Sequence, residues 1–212
     1  MFDVDQFIAD CRGALAADKS HKLVREVVAR AMADPAPLLK RFGEPTRGAL
    51  TPLHRSDDLT ILNIVWAPHM TVAPHNHNMW AVIGIYTGRE DNIFWRRLPG
   101  GNGRLEAAGA KALGRGDAEP LGRDIIHSVT NPIPRFTAAI HVYGGDFFAP
   151  EKRSEWDPET LDEERWDPER AVRRFDEANG RLRSPAVCRR STWQQAATRS
   201  PRRRGRAAQT GR

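Results

Sequence analysis

Apolar positions near the N-terminus recur at helical steps: Val4, Phe7, Ile8 and Cys11 share one face, and Leu23, Val24, Val27, Val28 and Met32 repeat at three- and four-residue intervals. The spacing predicts two short amphipathic helices. Asp34-Pro35-Ala36-Pro37 is expected to end the second, because proline cannot continue a helix interior and biases the preceding residue away from α. From about Leu50 to Phe148 the texture changes to short β-rich runs separated by Gly, Pro, Asn and Asp. They are LTILNIVWA (59–67), MWAVIGIYT (79–87), NIFWRRL (92–98), a weak patch near Leu105 and Ala112, AEPL (118–121), DIIHSV (124–129) and FTAAIHVYG (136–144). Many short strands with turn chemistry between them predict an antiparallel jelly-roll barrel, not a βαβ sheet.

Beyond the barrel, WDPETLDEERWDPERAVRRFDEAN (156–179) is charged and is expected to form one or two helices packed outside it. Asp157-Pro158 and Asp167-Pro168 would each place an N-cap residue before an N1 proline. The remainder has few large apolar residues and no periodicity, so it reads as a disordered tail. The expected organisation is an N-terminal helical segment (1–49) packing on a barrel (50–150), a helical extension (151–180) and a basic tail (181–212).

Charge follows the same division. The formal net charge is +6, yet ten arginines and no acidic residue lie between Arg181 and Arg212, leaving 23 basic against 27 acidic residues up to Gly180. With the folded part slightly acidic, a nucleic-acid partner is not expected, because binding to phosphates needs a basic folded surface. The N-terminus lacks the basic and apolar regions of a secretory signal, and no apolar run approaches the ~20 residues of a membrane span. Cys11 and Cys188 lie at opposite ends of the chain, so no structural disulfide is expected, and a cytoplasmic location fits.

Six of the seven histidines fall in the β-rich segment. His75 and His77 are two apart, and on an extended backbone such residues point to the same face, so both imidazoles can reach one ion. The apolar run that follows places this pair at the mouth of a strand entering the core. A chance surface pair is the alternative for a bare H-x-H. His127 is a third candidate, delivered by a turn-rich approach into an apolar strand that Asn131-Pro132 ends. Three imidazoles with no nearby carboxylate suit Fe, Cu, Zn, Ni or Co and leave positions open for substrate and O2. His141 and Tyr143, again two apart, project to one side of their strand, either into the cavity or as a hydrogen-bonded core pair.

Two stretches carry a family resemblance. Residues 116–131 resemble the second motif of the cupin superfamily: Pro120-x-Gly122 and His127-x-x-x-Asn131 keep its internal spacing, while the gaps before Pro120 and before His127 differ. Residues 75–88, His-Asn-His followed by a strand and Gly88, resemble the first motif, except that its usual glutamate is replaced by Ala81 and Val82. Across roughly Leu50 to Phe148 the resemblance implies a mainly β, double-stranded β-helix barrel. Loss of the acid ligand is similar to the thiol dioxygenase branch, whose iron is held by three histidines, here His75, His77 and His127. That branch also carries Ser-x-His-x-Tyr, and Ala139-Ile-His141-Val-Tyr143 matches its last two members and lacks the serine. By position Arg55 resembles the arginine that clamps the substrate carboxylate in cysteine dioxygenases; equally, it is a loop arginine paired with Asp57 or Asp58.

The resemblance therefore implies an Fe(II) enzyme, or one loaded with another divalent transition metal, that oxidises a small thiol to a sulfinate with O2. A cupin using the same histidines for hydrolysis, isomerisation or C–C cleavage of a non-thiol substrate is the alternative reading. A cupin that only binds a small molecule is a third.

Overall fold

The computed structural model describes residues 1–101, 103–149 and 153–183. Its elements run α1 (Val4–Ala17), α2 (Lys22–Ala33), α3 (Ala36–Phe42), β1 (Ala49–Arg55), β2 (Thr60–Trp66), β3 (Thr71–Asn76), β4 (Ala81–Thr87), β5 (Arg89–Arg97), β6 (Leu105–Gly114), β7 (Ala118–Leu121), β8 (Ile126–Thr130), β9 (Thr137–Tyr143), β10 (Ser154–Trp156), β11 (Glu163–Arg165) and α4 (Pro168–Arg183). Two antiparallel sheets face each other, ordered β1-β2-β9-β4-β7 and β11-β10-β3-β8-β5-β6. This is a double-stranded β-helix, a jelly-roll barrel with helices at both ends.

The central strands of the five-stranded sheet, β2, β9 and β4, are buried on both faces, which explains why they are almost continuously apolar. Every residue of β2 and β9 is buried. Alternate side chains point inward, Leu62, Ile64, Ile83, Ile85 and Ala139 among them, and join a core that Phe147, Trp166 and Phe175 close. Those between, including Ile61, Val65, Val82, Ile140 and Val142, pack against Val24, Val28 and Met32 of α2 and against Phe7 and Cys11 of α1. Gly84 permits that packing. A Cβ there would stand 2.6 Å from a Val28 methyl and 2.9 Å from Met32, so the strand interior carries no side chain where α2 crosses it.

Several elements differ from the sequence reading. Asp34 does end α2, but α3 begins two residues later, because prolines at its first turn remove only N–H groups that have no intrahelical partner anyway. The stretch 156–166 is not helical. Asp157 accepts from the backbone N–H of Glu159 and Thr160, Leu161 adopts φ 59°, and the chain folds back so that β10 and β11 pair. A left-handed residue ends any helix started at Asp157. Only the second Asp-Pro initiates one, with Asp167 accepting from Glu169 N–H at 2.9 Å. Through β10 the second sheet continues past residue 150, because Glu155 pairs with His75 of β3.

Cys11 is buried and free, and burial pushes its thiol pKa up to about 12. Cys188 and nearly all of the basic tail lie outside the described residues. Among those residues, no helix is long and apolar enough to cross a membrane.

Candidate metal centre

His75 and His127 are direct cross-strand partners on β3 and β8, which brings their side chains to the same face of the six-stranded sheet. His77 lies just past the end of β3, immediately before Asn78, whose φ of 54° turns the chain away. The pair therefore closes β3; it does not open the next strand, as the apolar run after it suggested. His77 Nε2 lies 3.2 Å from His75 Nε2 and 3.4 Å from His127 Nε2. All three imidazoles are buried and offer ligand atoms within 4.8 Å of one another.

The second nitrogen of two of these rings is already committed. His75 Nδ1 lies 2.9 Å from the carbonyl of Ala73, which can only accept. His127 Nδ1 lies 2.7 Å from Asn92 Oδ1, and the Asn92 amide is oriented by donating from Nδ2 to Glu90 Oε1 at 3.1 Å. Both Nδ1 atoms therefore carry the proton in the neutral rings, leaving Nε2 as a lone pair. Burial lowers the pKa of all three histidines, to about 4 for His75 and well below the usual imidazole range for His77 and His127, where neighbouring imidazoles, His75 and His141 among them, add to the effect. Neutral rings crowding lone pairs together at 3.2–3.4 Å repel, and one proton on His77 could satisfy only one neighbour. A cation satisfies all three. Nitrogens bound about 2.1 Å from one ion stand roughly 3.0–3.4 Å apart, so the donor set fits a transition metal.

Across the cavity, β9 contributes Tyr143 and His141 from the opposite sheet. Tyr143 packs on His77 with ring centroids 5.0 Å apart. Its hydroxyl meets His141 Nδ1 at 3.1 Å, and His141 Nε2 lies 3.3 Å from Glu90 Oε2, within ion-pair distance although outside hydrogen-bond alignment. Glu90 is fully buried and also accepts from Trp66 Nε1 at 2.8 Å. With Glu90 facing Nε2, the tautomer that carries its proton there leaves Nδ1 to accept from Tyr143. Burial pushes the Tyr143 pKa up, so the hydroxyl stays protonated. One carboxylate thus orients a metal-ligand candidate through Asn92 and the Tyr143 relay through His141.

Glu90 and Asn92 were not anticipated as site residues, though their i, i+2 spacing in Gly88-Arg-Glu-Asp-Asn92 is the same same-face signal that marked the histidines. Arg55, expected to clamp a substrate carboxylate, lies at the surface with its side chain 53% exposed. Its guanidinium is forked onto Asp146 at 2.9 and 2.8 Å and stacks over Phe148. It is not among the residues lining the chamber beside the histidines. The arginines that do line it are Arg153 and Arg174.

The chamber is small, about 40 Å³, and largely apolar, with Trp66, Val129, Phe147 and Phe175 in its walls. A wider outer cavity of about 600 Å³ shares His77 and Arg153 with it. Fold and site together define a double-stranded β-helix with a three-histidine group suited to a metal ion. No protein-family model matches the chain. Among solved structures it is similar to an RmlC-like cupin family protein from Methanocaldococcus jannaschii (11% identity, 50% of this chain and 86% of that chain, TM-score 0.41). It is also similar to an uncharacterised double-stranded β-helix protein from Klebsiella pneumoniae (13%, 51% and 82%, TM-score 0.40) and to oxalate decarboxylase from Bacillus subtilis (16%, 47% and 24%, TM-score 0.38). The chemistry rests on the side chains alone.

Proposed function

We propose that this chain is a non-haem Fe(II) dioxygenase that adds both atoms of O2 to the sulfur of a small thiol, RSH + O2 giving RSO2H. The observation that carries this reading is the pairing of three neutral, nitrogen-only ligand candidates with the Tyr143–His141–Glu90 relay across a small apolar chamber. Iron held by His75, His77 and His127 would supply a site where thiolate and O2 meet, and would favour loss of the thiol proton. Ferrous iron and a free thiol both suit a reducing compartment, in keeping with the cytoplasm.

The chain's own residues provide a route for that proton. It passes to Tyr143 Oη while the tyrosine's proton moves to His141 Nδ1. The imidazolium that results is stabilised at Nε2 by Glu90, and His141 Nδ1–H now donates to Tyr143. Its hydroxyl hydrogen is then free to point into the chamber, where it can donate to the oxidising sulfur. Ala139 lies where a serine would otherwise begin this relay, and Glu90, from another strand, takes the position at its far end.

Protein loaded with Fe(II) under anaerobic conditions is expected to consume oxygen when given cysteine, 3-mercaptopropionate or cysteamine. Tyr143→Phe is expected to slow that uptake roughly 100-fold, the usual weight of a positioned proton donor, with iron content unchanged. An iron-loaded protein that takes up no oxygen with any of the thiols would overturn the reading.

A further inference from the structure

His77 lies past the end of β3, so the ladder that fixes His75 does not extend to it. On one side His75 and Asn76 pair with β8. On the other side their partners come from the C-terminal extension. Glu155 pairs with His75, Ser154 N–H donates to Asn76 Oδ1 at 2.8 Å, and Arg153 Nε donates to the carbonyl of Asn76 at 3.2 Å. Consecutive residues of the extension thus hold the two residues that precede His77.

That grip is not self-supporting. β10 and β11 have three residues each, and a two-stranded hairpin is marginal by itself. What fastens β10 is α4. The Glu155 carboxylate, 2% exposed, is bridged by Arg170 at 2.6 Å and Arg174 at 2.9 Å, and Trp166, just before the helix, lies against the Arg153 guanidinium at 3.6 Å. A small set of contacts docks α4 on the barrel. Phe175 stacks on Trp66 with ring centroids 5.4 Å apart, Ala178 joins the same core, and the Asn179 side chain accepts from Gly48 N–H at 2.7 Å and donates to its carbonyl at 2.8 Å. Between Pro168 and Leu182 only those three side chains are buried. An isolated helix of this length is marginal in water, so helix formation and docking stand together at the low end of local stability.

We propose that docking of α4 and metal binding are coupled: through Glu155 the helix holds β10 against residues 75–76 and so sets His77 in its ligand position. Glu155 is a positioning residue, outside the three-histidine group. The coupling rests on the metal-site reading for what His77 binds. A coupling free energy between two sites acts equally in both directions, so a metal ion must steady α4 as much as α4 steadies the ion.

The test is hydrogen–deuterium exchange of the full chain, read by mass spectrometry with and without saturating Zn(II), which accepts the same imidazole donors and has no redox chemistry. The metal is expected to slow exchange across α4 roughly 10-fold, within the usual range of coupling between sites. Exchange in α1, which packs on the outer face of the five-stranded sheet, should not change. Ala178→Glu puts a charge where α4 meets the core while keeping a good helix former. It should release the helix and weaken Zn(II) binding by the same factor, with all three histidines in place. Glu155→Gln, which keeps the size and removes the charge, should erase most of the protection that the metal gives α4. Exchange of the unaltered chain decides alone if Ala178→Glu does not fold.

Zn(II) that binds, is lost in His127→Ala and leaves α4 exchange unchanged would overturn the coupling and leave the metal site standing. So would a released helix with unaltered Zn(II) affinity in Ala178→Glu, or full protection of α4 in Glu155→Gln. An unaltered chain that binds Zn(II) no better than His127→Ala would overturn both.

Discussion

His127→Ala is expected to lose its metal while keeping its fold. One of three nitrogen donors disappears, and the remaining pair, His75 and His77, is held by one short segment at the end of β3. Altering even a partner of a ligand commonly weakens metal binding 10- to 100-fold, so removing the ligand should cost at least about 100-fold. Competition with a chelator measures it. His54→Ala, on β1 and outside the three-histidine group, is the control and should bind as the unaltered protein does. Removing the His127 ring also strands Asn92 Oδ1, which now faces His127 Nδ1. An unmet buried acceptor costs about 1–3 kcal/mol, a loss the two-sheet core can absorb. Metal retention within about threefold of the unaltered chain would remove His127 from the site.

The second large effect is expected at a residue that is not a ligand candidate. In Glu90→Gln, the amide oxygen stays where Trp66 Nε1 donates and His141 Nε2 lies 3.3 Å away, so the new NH2 faces Asn92. Asn92 must then turn its oxygen toward Gln and its NH2 toward His127. That orientation forces His127 Nδ1 to accept and moves the ring proton to Nε2, into the space the metal needs. The expected result is a 10- to 100-fold weaker metal affinity. In metal-free protein labelled with nitrogen-15 in histidine, the His127 signals should switch from the Nδ1–H to the Nε2–H tautomer. An unchanged tautomer with unchanged affinity would show that Glu90 does not control the site through Asn92.

How far these features were legible in the sequence depended on how local they are. The barrel could be read because the central strands of one sheet are buried on both faces and form near-continuous apolar runs, while glycines and prolines mark the turns. The short pieces around it could not. The first turn of α3 uses the very prolines that signal the end of α2. The charged pattern after Trp156 is compatible with helix until Leu161 adopts a left-handed conformation and Trp156 enters a small cluster with Leu105 and Ile126.

The histidines were legible for a simple reason. Two sit at i, i+2, and the third lies in a recognisable motif. Cross-strand register then places His75 beside His127, which only the fold can do. Glu90 carried the same local signal but lay after the apparent end of the motif, where the absent acid had been sought at Ala81 and Val82. Arg153 carried none. Its place in the chamber wall comes from packing between Phe147 and Trp166 and from the pairing of β10 with β3, and neither has a trace in spacing or composition. Arg55 shows the converse, a position that looked right and whose guanidinium is committed to Asp146.

The central claim is that His75, His77 and His127 converge on one metal ion. X-ray absorption at the iron edge of protein loaded anaerobically with one equivalent of Fe(II) tests it most directly. The account predicts a first shell with three imidazole nitrogens near 2.1 Å, the remaining positions filled by light atoms, and loss of one imidazole in His127→Ala. Fewer than three imidazoles in the unaltered protein, or a spectrum that His127→Ala leaves unchanged, would contradict it.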